Sequence, residues 1–323
     1  MIALPKPFAA GAAAALAAAV LAEPAGAAQA AEPALETATQ AGAPAMWRVA
    51  DADSEFILFG TFHFLKPGLD WRTEELESAF RSADSVYFEV EADAPDAQSK
   101  AVRIVMTQGF NQQGRLLTEM LEPADAAKLR EVAQSLNLPI AGIDPMRPWN
   151  AFLTLSVQFI ASQGFEPGAG ADSVLLAEAR ALGKELVFFE TLEEQLALFT
   201  DLDAATERDL LVITLRDWDN QQAAFDDLFT AWFTGDTDFI DGQMNDAMRE
   251  QAPIVHERIL VARNKAWAET LDEALKNGSG KAFIAVGAGH LVGDGTSVPD
   301  LLAVMGYEVS RYDGAANDNT PTP

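Results

Sequence analysis

Short apolar runs alternate along the chain with longer stretches of helical periodicity, a pattern typical of α/β folds. The apolar runs predict strands at residues 47–49, 56–59, 85–91, 140–143, 185–189, 282–286 and 307–312. The periodic stretches predict helices at residues 72–83, 97–108, 123–136, 147–162, 172–182, 191–200, 207–234, 238–276 with a break at Pro253, and 297–305. Gly183 separates one helix from the next strand, which is half of a β-α-β crossover. We therefore predict a central mixed or parallel sheet flanked by helices.

Two of these strands run into the same short motif. Gly60-Thr61-Phe62-His63 follows the second strand, and Gly287-Ala288-Gly289-His290 follows the strand at 282–286. The chain has only 3 histidines. Ligands of open α/β sheets lie beyond the carboxyl ends of the strands, and a glycine there allows a sharp turn. The two turns, brought together, predict a metal or acid–base site.

Two glutamates end apolar strands in a similar way. Glu89 and Glu190 each follow a pair of aromatic residues. A buried carboxylate needs an ion pair, a hydrogen bond or a metal. Each half of the chain thus contributes one Gly-x-x-His strand and one strand ending in Glu, which predicts two pseudo-symmetric halves. Two histidines and two glutamates suit a divalent metal, metal-free acid–base chemistry, or, as a structural alternative, helix capping and arginine pairing.

Arg263 falls on the apolar face of a predicted helix. A guanidinium facing the core needs a carboxylate or an anionic ligand, and the adjacent Asn264 can orient a ligand or a water. The third histidine, His256, has no glycine turn beside it and is predicted to be a surface or packing residue. Asp172 is predicted to be the N-cap of its helix, with 168–171 as the loop before it.

Composition and charge narrow the class of protein. The chain of 323 residues carries a formal net charge of −27, which disfavours nucleic acids and anionic membrane surfaces as partners. It contains no cysteine, so disulfides and thiolate sites are excluded.

Residues 1–27 resemble a secretory signal peptide, with an uncleaved anchor as the alternative, and predict a periplasmic or secreted protein. Residues 28–45 are expected to form a flexible lead, 46–312 a single α/β domain and 313–323 a disordered tail.

From Trp47 to Tyr312 the chain resembles the TraB/GumN (TraB, PrgY, GumN) family. The resemblance rests on seven blocks in order: Leu58–His63, Phe88-Glu89, Arg147-Pro148-Trp149, Gly170-Ala171-Asp172, Phe189–Leu196, Arg263-Asn264 with Trp267, and Val286–Leu291 with Gly306–Val309. That family looks related to the Tiki metalloproteases and, more distantly, to erythromycin-esterase and ChaN-like proteins. The resemblance implies that His63, Glu89, Glu190 and His290 are metal-binding or catalytic, supported by Arg263 and Asn264.

We therefore expect a periplasmic metal-dependent hydrolase, a peptidase, that uses a divalent transition metal such as Mn, Co or Zn. One glutamate would bind the ion, the other would activate water, and Arg263 or Asn264 would stabilise the oxyanion. The substrate would be a peptide or another small molecule. Two alternatives stay open: a pheromone-like peptide-binding protein without turnover, and a haem- or iron-binding protein.

Overall fold

The computed structural model describes residues 42–313. The predicted signal peptide, most of the predicted lead and nearly all of the predicted tail lie outside these described residues. The described chain begins against a helix, where the Ala43 N–H donates to the Phe233 carbonyl at 2.8 Å. No helix within residues 42–313 is long and apolar enough to cross a membrane.

The described residues form one mixed sheet of six strands in the order β4-β3-β5-β2-β1-β6. The strands are β1 (Met46–Ala50), β2 (Ser54–Thr61), β3 (Ser85–Val90), β4 (Glu185–Glu190), β5 (Gly280–Gly287) and β6 (Glu308–Arg311). The four strands β2, β5, β3 and β4 are parallel, whereas β1 pairs antiparallel with both β2 and β6. The predicted α/β fold with a mixed sheet is confirmed.

The two halves of the chain interleave within this sheet. β5 comes late in the sequence but lies between β2 and β3 from the first half, and β3 in turn lies between β5 and β4. Because these four strands are parallel, their carboxyl ends meet at one edge of the sheet. Both His turns and both strand-end glutamates start from that edge.

Helices cover both faces of the sheet. Those before β4 are α1 (Glu74–Ser82), α2 (Ala97–Gln108), α3 (Leu117–Met120), α4 (Pro123–Ser135), α5 (Ile140–Ile143), α6 (Pro148–Ser162) and α7 (Ala171–Ala181). Those after it are α8 (Leu192–Thr200), α9 (Ala204–Arg216), α10 (Gln221–Thr234), α11 (Thr237–Asp241), α12 (Ala247–Gln251), α13 (Pro253–His256), α14 (Ala262–Asn277) and α15 (Val298–Val304).

Strand alternation divides the core in two. On β2, Ile57 and Phe59 belong to the larger cluster, whereas Phe56 and Leu58 belong to the smaller one. Helices α14 and α15 cover the smaller cluster through side chains such as Trp267. Most of the other helices pack on the larger cluster. The segment that carries Arg263 therefore lies on one face of the sheet, and α7 lies on the other.

Three predicted elements were wrong in type or extent. The run at 140–143 is the short helix α5 rather than a strand, closed by the Asp144 N–H donating to the Ile140 carbonyl at 2.8 Å. A 3₁₀ turn at Trp218–Asn220 divides the predicted helix at 207–234 into α9 and α10. The predicted helix at 238–276 breaks before Pro253, as expected, and also contains π-helical turns at Gly242–Asp246 and Glu257–Val261.

Candidate active site

The two Gly-x-x-His turns lie side by side at the carboxyl edge of the sheet. In the parallel pair β2 and β5, Gly60 is opposite Val286 and Thr61 is opposite Gly287. A Cβ atom at Gly60 would lie 3.0 Å from the Ala288 Cα, so glycine permits the close approach of the two turns.

Glu89 lies between the two histidines. Its Oε1 accepts a hydrogen bond from the Gly287 N–H at 2.7 Å. The same oxygen is 4.0 Å from the His63 Nε2 and 3.9 Å from the His290 Nε2. Because β3 neighbours β5 in the sheet, one carboxylate from the first half reaches both turns.

The Arg263 guanidinium is the centre of a buried network in which each of its five N–H groups has an acceptor. Nε donates to Glu190 Oε1 at 2.7 Å, and Nη2 donates to Glu89 Oε2 at 2.7 Å and to Glu190 Oε2 at 2.9 Å. Nη1 donates to the Ile259 carbonyl at 3.1 Å and contacts the His290 Nε2 at 3.0 Å. The Trp267 ring lies 4.5 Å from its Cζ. Arg263 is therefore paired, as its predicted position on a core-facing helix face requires.

The two carboxylates differ in acidity. Burial alone would raise the pKa of Glu89, but Arg263, the histidines and the Gly287 N–H lower it to about 2. Burial raises the pKa of Glu190, together with the nearby charge of Glu89 and against the effect of Arg263. Glu89 is thus a permanent anion at neutral pH, and Glu190 is the more basic carboxylate of the pair.

His290 is fully buried and neutral. Burial and the neighbouring Arg263 charge lower its pKa well below the ordinary value. Since Arg263 can only donate, the His290 Nε2 must accept, and its Nδ1–H therefore points to the Asn264 Oδ1 at 2.5 Å. This pairing orients the second turn and leaves His290 without a free nitrogen lone pair.

His63 differs from His290 in its surroundings. Its Nδ1 is 3.2 Å from Asp172 Oδ1, and neither ring nitrogen makes a hydrogen bond of good geometry with another described residue. Burial lowers the pKa of His63, but the carboxylates of Asp172 and Glu89 outweigh burial and leave the pKa above its ordinary value. His63 therefore keeps its proton to a higher pH than an ordinary histidine.

The predicted role of Asp172 as an N-cap was wrong. Gly170 is the N-cap of α7, and Asp172 lies in the first turn of the helix with its carboxylate beside His63. A Cβ atom at Gly170 would lie 2.1 Å from the His63 carbonyl oxygen, and the Ala171 N–H donates to the Phe62 carbonyl at 3.0 Å. The start of α7 thus packs directly on the first turn and delivers Asp172 to it.

A cleft of about 150 Å³ opens beside His63. Its polar lining includes His63, Glu89, Asp172 and the buried amide of Gln195, which donates to Glu89 Oε2 at 3.3 Å. A second pocket of about 350 Å³ lies next to it and includes Glu190. The cleft is large enough for a small acyl group or a side chain.

Comparison with known families adds one finding. The model of the TraB/PrgY/gumN family matches residues 45–311. The chain belongs to this family. Comparisons with curated proteins and with solved structures find no match.

In this TraB/PrgY/gumN member the predicted residues fall into two layers. His63 and Glu89 line the cleft, and Glu190 lines the second pocket. His290, Arg263 and Asn264 lie behind them, buried. Because Arg263 has no N–H group left and the Asn264 amide donates to the Thr296 carbonyl at 2.8 Å, both position other residues in this arrangement. Arg263 therefore offers no free donor of the kind expected for an oxyanion.

Sequence reasoning missed two residues of the cleft. Asp172 was assigned a capping role, although the Gly170-Ala171-Asp172 block of the family resemblance pointed to it. Gln195 lies within another block of that resemblance and had no separate signal.

The two π-helical turns support the second His turn. The turn at Glu257–Val261 ends two residues before Arg263, and Asn245 in the other π-helical turn donates to the Val292 carbonyl at 2.8 Å. π-Helical turns are frequent at functional sites because the extra residue re-aims nearby side chains.

The present donor arrangement does not fit a divalent metal. In residues 42–313 no three His, Asp or Glu side chains are grouped as an ion would require. Two ligands of a tetrahedral ion lie about 3.4 Å apart, whereas Glu89 Oε1 is 4.0 Å and 3.9 Å from the two Nε2 atoms. Arg263 also takes up the lone pairs of His290 and Glu190 that would face an ion. The Mn, Co or Zn site stays a prediction, and it would need Arg263 to move.

Proposed function

We propose that this TraB/PrgY/gumN protein is a hydrolase in which His63 is the acid–base residue and Asp172 orients it. One observation carries the proposal: His63 is nine-tenths buried, lines the cleft, has the Asp172 carboxylate 3.2 Å from its Nδ1, and has no hydrogen-bonded partner on its Nε2 among the described residues. A buried polar group without a partner is costly unless it serves a ligand.

The geometry assigns the two ring nitrogens different tasks. Asp172 faces Nδ1 and favours the tautomer protonated there, which leaves the Nε2 lone pair for a water in the cleft. As the water oxygen attacks the substrate carbonyl carbon, its proton passes to Nε2. When the bond to the leaving group breaks, the same proton passes from Nε2 to that group.

The permanent charge of Glu89 supports this cycle. Its Oε1 is 4.0 Å from the His63 Nε2 and stabilises the imidazolium that forms during attack. Arg263 and the Gly287 N–H hold the carboxylate in place. Arg263 and the Gly287 N–H thus keep a fixed anion beside the base.

A peptide substrate and a periplasmic location are parts of this proposal that come from the sequence. The signal-like residues 1–27 lie outside the described residues. The proposed scheme uses no metal, because Arg263 takes up the lone pairs of His290 and Glu190 that would face an ion, and the reaction is expected to proceed in the presence of a chelator.

The first test is the titration of His63 by NMR. With only 3 histidines in the chain, each imidazole can be assigned by substitution. Asp172→Asn should lower the pKa of His63 because the nearest carboxylate charge is removed. An unchanged titration in Asp172→Asn would remove the basis of the proposal.

The second test is turnover. Purified protein is screened against a peptide library with EDTA or with Mn²⁺, Co²⁺ or Zn²⁺, beside His63→Gln and the control His256→Gln. We expect cleavage in EDTA that only His63→Gln abolishes, and a rate that rises with pH as His63 loses its proton. Cleavage that requires an added ion would overturn the metal-free scheme in favour of the predicted metallohydrolase. Tight peptide binding without cleavage would favour the sequestering alternative.

A further inference from the structure

A short segment of chain separates the cleft from the second pocket. Residues 90–94, here named the strap, comprise the last residue of β3 and the four residues that follow it over the sheet edge. Ala92 and Asp93 of the strap line the cleft, Glu91 and Ala94 line the second pocket, and Val90 lines both. The strap is thus the wall between two spaces that contain His63 on one side and Glu190 on the other.

Few contacts hold the strap to the rest of the fold. The backbone N–H groups of Ala92, Ala94 and Ala97 all donate to carbonyls within residues 90–94. Val90, whose backbone pairs with Glu190, and the side chains of Ala92 and Ala94 pack, within residues 42–313, at the edge of a small cluster that is separate from the two large ones. That cluster consists of Ala97, Ala101, Leu192 and Leu196. Segments with local hydrogen bonds and little apolar burial open at low free-energy cost.

Arg180 supplies a charged tie to the strap from α7. Its Nη2 donates to Glu91 Oε1 at 2.6 Å and to Asp93 Oδ1 at 2.7 Å. Asp172, Leu176 and Arg180 follow one another at a spacing of four residues, so they share a face of α7. The same helix therefore orients His63 at one end and fastens the strap at the other.

We propose that Arg180 is a latch that sets the size of the ligand that reaches His63. With the latch closed, the cleft offers about 150 Å³, enough for one small group. When Glu91 and Asp93 leave Arg180, the strap lifts and the cleft joins the second pocket of about 350 Å³. An extended chain such as a peptide then lies along one groove past both His63 and Glu190. The statement about substrate size rests on the proposed function, whereas the latch itself does not.

Amide hydrogen exchange tests the latch without any substrate. Arg180→Gln removes both charged contacts, and Arg81→Gln is the matched control. Arg81 donates to Glu77 and to Glu178 of α7, each at 3.2 Å, and does not contact the strap. We expect exchange at residues 91–97 to become about fivefold faster in Arg180→Gln and to stay unchanged in Arg81→Gln. Adding salt should speed exchange in the wild type and leave Arg180→Gln unaffected.

Two results would overturn the latch. One is amide exchange in the strap that is the same in Arg180→Gln as in the wild type. The other is exchange that becomes equally faster in Arg180→Gln and Arg81→Gln, because that would indicate a general loosening of α7. Peptide cleavage then tests the size statement. Arg180→Gln should raise kcat/KM for a long peptide relative to a dipeptide, and an unchanged ratio would refute it. Faster strap exchange with no cleavage of any peptide by any variant would support the latch and reject the proposed function.

Discussion

Replacing Gly170 with alanine should disturb both stability and the titration of His63. The new Cβ would lie 2.1 Å from the His63 carbonyl oxygen and 2.6 Å from its carbonyl carbon. These are backbone atoms, so no side-chain rotation relieves the overlap. The backbone angles of Gly170, φ −55° and ψ 146°, suit any residue, so the penalty arises from crowding alone. Overpacking lowers the free energy of unfolding by about 1–3 kcal/mol. Alanine also restricts the unfolded chain more than glycine does, which offsets about 0.4–1 kcal/mol of this loss.

The assay combines thermal unfolding with NMR titration. A net loss of about 1–2 kcal/mol corresponds to a Tm lower by roughly 2–8 °C for a domain of this size. The pKa of His63 should fall, because the first turn is pushed away from Asp172. Gly168→Ala is the matched control. It stiffens the unfolded chain as Gly170→Ala does, but its Cβ would meet no atom within 4 Å. Wild-type stability and an unchanged His63 titration in Gly170→Ala would refute the tight packing of α7 on the first turn.

Two further predictions concern the buried charges. Arg263→Met should lower the free energy of unfolding at neutral pH by about 3–5 kcal/mol, measured with urea, because Glu89 and Glu190 stay buried without their cation. The exposed pair of Arg208 and Asp209 gives the control, where Arg208→Met should cost no more than about 1 kcal/mol. The pKa of Glu89 is about 2 in the folded protein, below its ordinary 4.5. Its ionised form therefore contributes about 3 kcal/mol to the free energy of unfolding above pH 4.5, and this contribution is lost as the pH falls towards 2. The free energy of unfolding should therefore fall less steeply with falling pH in Glu89→Gln than in the wild type. Equal slopes would show that Glu89 is not the group whose protonation destabilises the fold in acid.

Much of the fold could be predicted because its strands are short apolar runs with clear turn residues around them. The run at 140–143 failed because four apolar residues suit a strand or a helical turn equally well, and only tertiary contacts decide. The interleaving of the halves could not be predicted, since it depends on pairing between β5 and strands some two hundred residues earlier in the chain.

The candidate site shows a similar division. Residue type and position at strand ends were enough to single out His63, His290, Glu89 and Glu190, which the structure brings to one edge. The pattern around Arg263 indicated a guanidinium facing inward but not which acceptors it would meet. Asp172 was misassigned because an aspartate at the start of a helix is an ordinary cap, and only the packing of α7 on the first turn shows that it faces His63 instead.

The position of β5 has a consequence for how the protein is made. Without residues 280–287, β1 and β2 form one hairpin, β3 and β4 form a separate pair, and no strand pairing among the described residues joins the two. Both β2 and β3 then expose an unpaired edge, which is a site for aggregation. Residues 280–287 must be synthesised before the two strand pairs can join into one sheet, and the Gly287 N–H and His290 arrive with the same strand. A chain that ends before residue 280 therefore contains His63 and Glu89 but lacks the strand that brings the Gly287 N–H to Glu89.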